Sequence, residues 1–213
     1  MTHLVLIRHG ETVWHAENRY VGRTDIPLSA RGQEQAERLA RWASSARLGS
    51  IWASPLLRAR QTAAPVERAT KLMARVDSRL QELDFGQGEG LTQAEIARSF
   101  PKAFAAFEAD PAAHPLPDGE NPRHAAERAI SCFREIVRTH PDERVLAIAH
   151  NTLIRLALCG LIGVPLSHYR TLFPSVINGA LIEIRLDGDR TSLLRFNVPL
   201  RSIGVGRMHD DET

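Results

Sequence analysis

The stretch LVLIRHGET, residues 4–12, carries the main information about the fold of this chain. Residues 4–7 form a short continuous apolar run, which is typical of a buried strand in a parallel sheet. Arg8 and His9 follow at once, at the point where such a strand would end. The stretch therefore predicts a core strand that brings an arginine and a histidine to one edge of a sheet.

Similar apolar runs alternate with segments of helical periodicity along the rest of the chain. The other predicted strands are Ser50–Ala53, Ala74–Val76, Val145–Ala149, Ala180–Leu186 and Ser192–Phe196. The predicted helices begin after Ser29 and at Ser54-Pro55, span Thr92–Phe100, include the apolar positions from Ala126 to Val137, and span Leu153–Leu161. This alternation predicts an α/β fold with a mostly parallel sheet.

The length and composition of the chain suit one globular domain over residues 1–213. Hydrophobic residues make up 43% and charged residues 24%, as in an average globular protein, which argues against a disordered chain or a coiled coil. Pro, Gly, Asp and Asn cluster in residues 110–122, and we expect residues 101–122 to form an insertion or a lid near the site. Residues 204–213 are polar and are expected to form a loose tail.

Several classes of partner are not expected from the sequence. No apolar run approaches the roughly 18 residues of a membrane-spanning helix, and the N-terminus passes into the first strand without a signal-peptide pattern. The net charge of +2 gives no reason to expect nucleic acid. We therefore expect a cytoplasmic protein that binds neither a membrane nor nucleic acid. A homodimer through the edge of the late hairpin is a further expectation.

Polar side chains with related chemistry follow several of the predicted strands. His150 follows one strand, Arg58 lies one turn into the helix after another, and Glu82 follows a third. Ligands of an open parallel sheet bind beyond the carboxyl ends of the strands. We therefore expect these side chains to meet Arg8 and His9 at one edge of the sheet.

Such a group of residues favours phosphoryl chemistry. Two arginines beside helix N-termini form a site for a dianion, most naturally a phosphoryl group. His9 could attack phosphorus, because nearby guanidinium groups would depress its pKa and keep it neutral. His150, if protonated, would stabilise the transferring group, and Glu82 would protonate the leaving oxygen. This scheme needs no metal ion and no other cofactor.

The same residues lie in motifs that resemble the signature of the histidine phosphatase superfamily, the phosphoglycerate mutase-like proteins. The motifs are LIRHGET at 6–12, NRYVGRTDIPLS at 18–29, ASPLLRARQTA at 53–63, LQELDFG at 80–86 and AHNTLIR at 149–155. Their order and spacing cover most of residues 4–200. The resemblance implies an α/β three-layer sandwich, with a mostly parallel central sheet and helices on both faces.

The resemblance also implies a role for each of the five converging residues. His9 becomes the phosphohistidine, and Glu82 acts as general acid and base. Arg8, Arg58 and His150 form the phosphate pocket. These are the same five residues that the positions after the strands favour.

The substrate-binding residues implied by the resemblance are His15, Val21, Gly22, Arg23 and Asn151. Apart from Gly22, they stand where the family often carries Asn, Thr, Trp and Gly, respectively. These departures indicate a remodelled substrate pocket. Arg23 and His15 could hold a second anionic group of the substrate, the alternative being that Arg23 points to solvent.

The segment after Glu82 favours hydrolysis over transfer. Residues 83–90, LDFGQGEG, hold acidic residues and no base, whereas mutases carry a basic and aromatic segment there. We therefore expect a histidine acid-type phosphatase that is metal-independent and hydrolyses small phosphorylated metabolites through a phosphohistidine. Three alternatives remain open: a cofactor-dependent phosphoglycerate mutase, a metal hydrolase that uses His9 and His150, and a non-catalytic module that docks phosphorylated partners.

Overall fold

Six strands form one sheet in the computed structural model, which describes residues 1–188 and 190–200. The strands are β1 (Thr2–Arg8), β2 (Leu48–Ala53), β3 (Ala74–Val76), β4 (Arg144–Ala149), β5 (Leu181–Asp187) and β6 (Arg190–Val198). Their order across the sheet is β3-β2-β4-β1-β5-β6. The first four in that order pair in parallel, whereas β5 is antiparallel to both β1 and β6. The expectation of a mostly parallel sheet is confirmed.

Seven α-helices accompany the sheet in the described residues. They are α1 (Ala30–Ala43), α2 (Leu57–Thr70), α3 (Gln93–Ser99), α4 (Pro101–Ala109), α5 (Pro122–Thr139), α6 (Asn151–Ile162) and α7 (Tyr169–Leu172). Short connections join β2 to α2 and β4 to α6, so Arg58 and His150 lie near the ends of parallel strands.

The layering follows from the alternation of side chains along β1. Val5 and Ile7 point to one face of the sheet, where they share a core with residues of α1 and α2 such as Leu39 and Val66. Leu4 and Leu6 point to the opposite face, where they share a second core with α5 and α6. Successive side chains of a strand face opposite sides, so a strand buried on both sides must be apolar throughout. The three-layer sandwich is thereby confirmed.

The predicted start of the second helix is wrong. α2 begins at Leu57, with Leu56 as its N-cap residue, rather than at Ser54 and Pro55. A residue before proline is disfavoured in the helical region, and Ser54 instead continues the extended path of β2. Its N–H donates to the carbonyl of Ile148 at 3.0 Å. Its hydroxyl accepts from the N–H of Leu56 at 3.3 Å and lies 2.8 Å from Nε2 of His150 across the sheet edge.

Residues 101–122 consist of α4, a connecting loop and the first residue of α5. Their expected action as a lid stays a prediction, as does the expected homodimer, although β6 does form an edge of the sheet. The expected tail at 204–213, and Asp189 in the hairpin turn, lie outside the described residues. Among the residues that are described, no helix is long and apolar enough to cross a membrane.

The loop after β1 packs against the start of α1 with no room for a side chain between the two backbones. A Cβ placed on Gly32 would lie 2.0 Å from the carbonyl oxygen of Glu11, and one on Gly10 would lie 2.5 Å from that of Gly32. The N-cap residue Ser29 ties the same segments together, since its N–H donates to the Glu11 carbonyl at 2.9 Å. The glycines therefore allow α1 to hold the loop that follows His9.

We expect Gly32→Ala to lower the free energy of unfolding by about 1–3 kcal/mol, the usual cost of overpacking. The intrinsic preference of helices for alanine over glycine acts in the opposite direction, so a loss would report the steric overlap. Gln33→Ala, at an exposed position of the same helix, is the matched control. Urea denaturation measures both, and equal stabilities for the two variants would contradict the close approach.

Candidate active site

A cavity of about 640 Å³ opens at the carboxyl ends of β1 and β4. It is lined mainly by charged, polar and aromatic side chains from six regions of the chain, including Arg8, His9, His15, Tyr20, Glu82, Asn151, Thr152, Arg155, Tyr169 and Arg170, together with the apolar Val21. Glu82 is the only acidic side chain among the described residues that line it. The cavity is therefore suited to a small anionic ligand.

His9 is buried at the end of β1 with one ring nitrogen aimed at a guanidinium group. Its Nδ1 lies 2.7 Å from the carbonyl oxygen of Gly10, so Nδ1 carries the proton and donates. Its Nε2 accepts from Nε of Arg58 at 3.2 Å and therefore presents a lone pair. Burial, followed by the charges of Arg58 and Arg8, holds the pKa of His9 well below its usual value. The ring is neutral and its Nε2 is available as a nucleophile.

Arg58, on α2, is 1% exposed and has no carboxylate partner among the described residues. Its terminal nitrogens donate to the carbonyls of Gly22 at 2.6 Å and Thr24 at 3.0 Å. Burial lowers its pKa. Backbone carbonyls satisfy the donors without neutralising the charge, so the guanidinium can still attract an anion.

Arg8, at the end of β1, supplies a second buried cation. One terminal nitrogen donates to the carbonyl of Val176 at 2.8 Å, and Nε is buried with no hydrogen-bond partner. Burial lowers the pKa of Arg8 to about 10, which leaves it charged at neutral pH. An unpartnered buried N–H in a cavity is costly, and an acceptor oxygen from a ligand would satisfy it.

His150 caps the start of α6 and is completely buried. Its ring centroid is 5.1 Å from that of His9, and its Nε2 lies 2.8 Å from the hydroxyl of Ser54. Its Nδ1 has no partner. Burial and the charge of Arg58 hold the pKa of His150 well below its usual value, which favours the neutral ring.

Glu82 is 4% exposed and is held by the start of α6. Its two oxygens accept from the N–H groups of Leu83 at 2.8 Å, Leu153 at 2.9 Å and Thr152 at 3.0 Å. An acid at a helix N-terminus satisfies donors that the helix leaves free. Because its carboxyl group also lines the cavity, it is fixed in position beside any bound ligand.

His15 lies between Arg8 and the cavity. Its Nε2 is 2.9 Å from a terminal nitrogen of Arg8, and its Nδ1 is 2.9 Å from the hydroxyl and 3.0 Å from the N–H of Thr12. Burial and the neighbouring charge of Arg8 lower the pKa of His15 to about 4. The side chain is thus a neutral polar partner of Arg8 at physiological pH.

The other residues expected to bind substrate divide into two groups. Val21 and Asn151 line the cavity, and the Asn151 side chain also accepts from the N–H of Val176 at 3.0 Å. Gly22 and Arg23 do not line it. The Arg23 guanidinium is nearly half exposed and lies 3.7 Å from Asp84, outside the cavity, so the structure does not bring it to a ligand.

Several residues near the cavity were not predicted as site residues, among them Asn178, Arg155, Tyr169 and Arg170. The Asn178 side chain donates to the carbonyl of His9 at 2.7 Å, and Arg155, Tyr169 and Arg170 form part of the cavity wall. Arg155 could have been predicted, because it lies five residues after His150 on the helix that begins there. Tyr169, Arg170 and Asn178 come after α6 in the chain, and no periodic pattern there predicts that they would lie near the cavity.

The arrangement can bind a dianion and form a bond to its phosphorus atom. Two guanidinium groups without ion-pair partners, the unpartnered Nδ1 of His150 and the Nε2 of His9 lie close together, and Arg8 and His9 line the cavity. The carboxyl group of Glu82 lines the same cavity. In the part of the chain that the structure describes, no group of three or more His, Cys, Asp or Glu side chains is placed to hold a metal ion.

Comparison with known proteins agrees with this chemistry. The sequence model described as "Histidine phosphatase superfamily (branch 1)" matches residues 4–199. Phosphoserine phosphatase 1 of Hydrogenobacter thermophilus is 29% identical, with 93% of each chain covered. Glucosyl-3-phosphoglycerate phosphatase of Mycobacterium tuberculosis is 32% identical, with 79% of each chain covered. Among solved structures, Bacillus stearothermophilus YhfR superposes with a TM-score of 0.87 at 30% identity, covering 93% of this chain and 98% of its own.

The lowered pKa of His15 predicts a pH dependence of stability. The unfolded chain takes up a proton with the ordinary pKa of 6.5, whereas the folded chain does so near 4. Between these values the unfolded state binds more protons, so stability is complete above pH 6.5 and falls as the pH drops towards 4. We expect His15→Asn to lose less stability over this range than the wild type.

Urea denaturation at a series of pH values within this window tests the prediction. His9 and His150 remain in both proteins, so their own contribution cancels in the comparison. His124→Asn, at an exposed position of α5, is the control and should follow the wild type. The same loss in all three proteins would show that His15 does not titrate as expected.

Proposed function

The chain belongs to the histidine phosphatase superfamily, and from this membership we propose that it hydrolyses phosphomonoesters of small metabolites through a phosphohistidine at His9, without a metal ion. The observation that carries the proposal is the neutral His9 ring, whose Nε2 lone pair lies among Arg8, Arg58 and His150. Relatives named as phosphatases of phosphoserine and of glucosyl-3-phosphoglycerate support small phosphorylated substrates.

The first step transfers the phosphoryl group to the enzyme. Nε2 of His9 forms a bond to phosphorus while the bond between phosphorus and the ester oxygen breaks. Arg8 and Arg58 bind the equatorial oxygens, and the free nitrogen of His150 donates to one of them. Glu82, in its protonated form, gives its proton to the departing alkoxide, so that a neutral alcohol leaves.

The second step returns the enzyme to its starting state. Glu82, now ionised, removes a proton from a water molecule that takes the place of the alcohol. The oxygen of that water bonds to phosphorus, the bond to Nε2 of His9 breaks, and phosphate leaves. The three N–H donors that hold Glu82 keep it in one place for both steps. The proton that Glu82 gave to the alcohol is thus recovered from water.

Phosphate release from a panel of phosphomonoesters tests the proposal, with EDTA present throughout. We expect turnover by the wild type and by His124→Ala, a control at an exposed histidine, and none by His9→Ala. An acid-labile phosphoenzyme, kept intact at neutral or basic pH, should be trapped in the wild type and not in His9→Ala. Full activity in His9→Ala, or activity that EDTA abolishes, would overturn the proposal.

The same panel distinguishes hydrolysis from the mutase and from the non-catalytic docking module. Conversion of 3-phosphoglycerate into its isomer with little phosphate release would identify a mutase. Tight binding of inorganic phosphate with no turnover of any ester would identify a docking module.

The acid role of Glu82 predicts a dependence on the leaving group. We expect Glu82→Gln to lower kcat/KM for alkyl phosphates by about 10²–10⁴-fold, the usual worth of general acid catalysis. The loss should be much smaller for transfer to His9 from p-nitrophenyl phosphate, whose leaving group needs no proton. Burst kinetics measure the transfer step for both substrates. An equal loss in that step for both would mean that Glu82 does not act as the acid.

A further inference from the structure

Arg128, on α5, is a largely buried arginine that lies behind the cavity and does not line it. One of its terminal nitrogens donates to the carbonyls of Arg79 at 2.8 Å and Gln81 at 2.7 Å. The other donates to the carbonyl of Glu82 at 3.0 Å and to one oxygen of Glu120 at 2.8 Å, and Nε donates to the second Glu120 oxygen at 2.7 Å. A guanidinium group has five N–H donors. All of them are used within the protein, so Arg128 has none left for a substrate.

The three carbonyls belong to the segment that carries the proposed acid. A short 3₁₀ turn, Ser78–Leu80, precedes Gln81 and Glu82, which belong to no helix or strand. Such a segment lacks the regular backbone hydrogen bonds that fix a helix or a strand. Arg128 supplies donors to it from a long helix. The backbone of Glu82 is therefore held by α5, while its carboxyl group is held by the start of α6.

Glu120 orients the guanidinium group of Arg128. A bidentate pair between a carboxylate and a guanidinium fixes the plane of the arginine. Glu120 is also tied to the chain just after Glu82, because its N–H donates to the carbonyl of Asp84 at 2.9 Å and its carboxylate accepts from the N–H of Asp84 at 3.3 Å. The pair of Arg128 and Glu120 thus contacts the backbone on both sides of the acid.

We propose that Arg128, oriented by Glu120, is a positioning residue that holds Glu82 where it can transfer a proton to the leaving oxygen. This inference rests on the proposed function and adds to it a residue that acts through the acid. Proton transfer requires the acid to lie within hydrogen-bond reach of the reacting oxygen. A displacement of about 1 Å can lower the rate about a hundredfold. Arginine suits this task because its rigid fork can serve five acceptors at once.

Leaving groups that differ in their need for a proton test the inference. The first substrate is the alkyl phosphate that the wild type hydrolyses fastest, and the second is p-nitrophenyl phosphate. We expect Arg128→Met to lower kcat/KM for the alkyl phosphate by about tenfold to a hundredfold. The loss for p-nitrophenyl phosphate should be much smaller, because its leaving group needs no proton. Arg128→Lys, which keeps the charge but has three donors and no planar fork, should lose less with the alkyl phosphate.

Arg79→Met is the matched control. The Arg79 side chain also lies beside α5, but it binds the carboxylates of Asp77 and Glu135 and not the carbonyls that lead to the acid. We expect this variant to keep the wild-type ratio of kcat/KM for the two substrates.

A double-mutant cycle with Glu82→Gln distinguishes positioning from a general effect on the fold. If Arg128 acts through Glu82, Arg128→Met should cause little further loss once the acid is absent. Losses that multiply in the double variant would overturn the inference, and so would an equal loss for both substrates in Arg128→Met. If Arg128→Met does not fold, the same cycle with Arg128→Lys and with Glu120→Gln decides.

The outcomes also separate this inference from the proposed function. A wild type that hydrolyses both substrates, together with Arg128 variants that keep its ratio of kcat/KM, would overturn the positioning role and leave the phosphatase intact. A wild type that hydrolyses neither substrate would overturn the proposed function together with the role of Arg128.

Discussion

The burial of arginine side chains that form no ion pair is the constraint on which the rest of this structure depends. Arg8 and Arg58 lie beside an uncharged imidazole, and neither has a carboxylate partner within the described residues. Their donors reach backbone carbonyls of Gly22, Thr24 and Val176 instead. The loops around residues 22–24 and 176 are therefore held against the cavity by the arginines themselves. A carboxylate in the place of those carbonyls would neutralise the charge and leave nothing to attract a phosphoryl group.

The elements that were predicted well from the sequence are those whose apolar pattern indicates which of their faces are buried. β1 and β4 are buried on both faces and read as continuous apolar runs, and polar residues that end such strands must meet at one edge of the sheet. His9, His150 and Arg58 could be placed together on that ground. The start of α2 was missed because Ser54 and Pro55 have the composition of a helix start, whereas Ser54 is fixed by its contact with His150 across the sheet.

The outer part of the cavity was much less predictable, for a physical reason. Its walls come from loops and from α7, whose positions are set by packing with α4 and α6 rather than by their own periodicity. Arg23 belongs to a motif yet points away from the cavity towards Asp84, while Arg170, in no motif, lines it. Family membership predicts where the motif residues lie. The rest of a bound substrate would instead contact the outer wall, whose residues lie in less regular segments. Substrate choice in this chain is therefore a property of tertiary packing.

The anchoring of His9 by Asn178 has a consequence for the order in which the protein is made. The two residues are 169 positions apart, and Asn178 immediately precedes the segment that leads into β5, the antiparallel neighbour of β1. A contact so distant along the chain forms only after the intervening residues have been synthesised and have condensed. A nascent chain that ends before α7 has His9 but not the Asn178 amide that holds its carbonyl. The contacts that hold His9 are thus completed late in biosynthesis, after the residues that line the cavity have been synthesised.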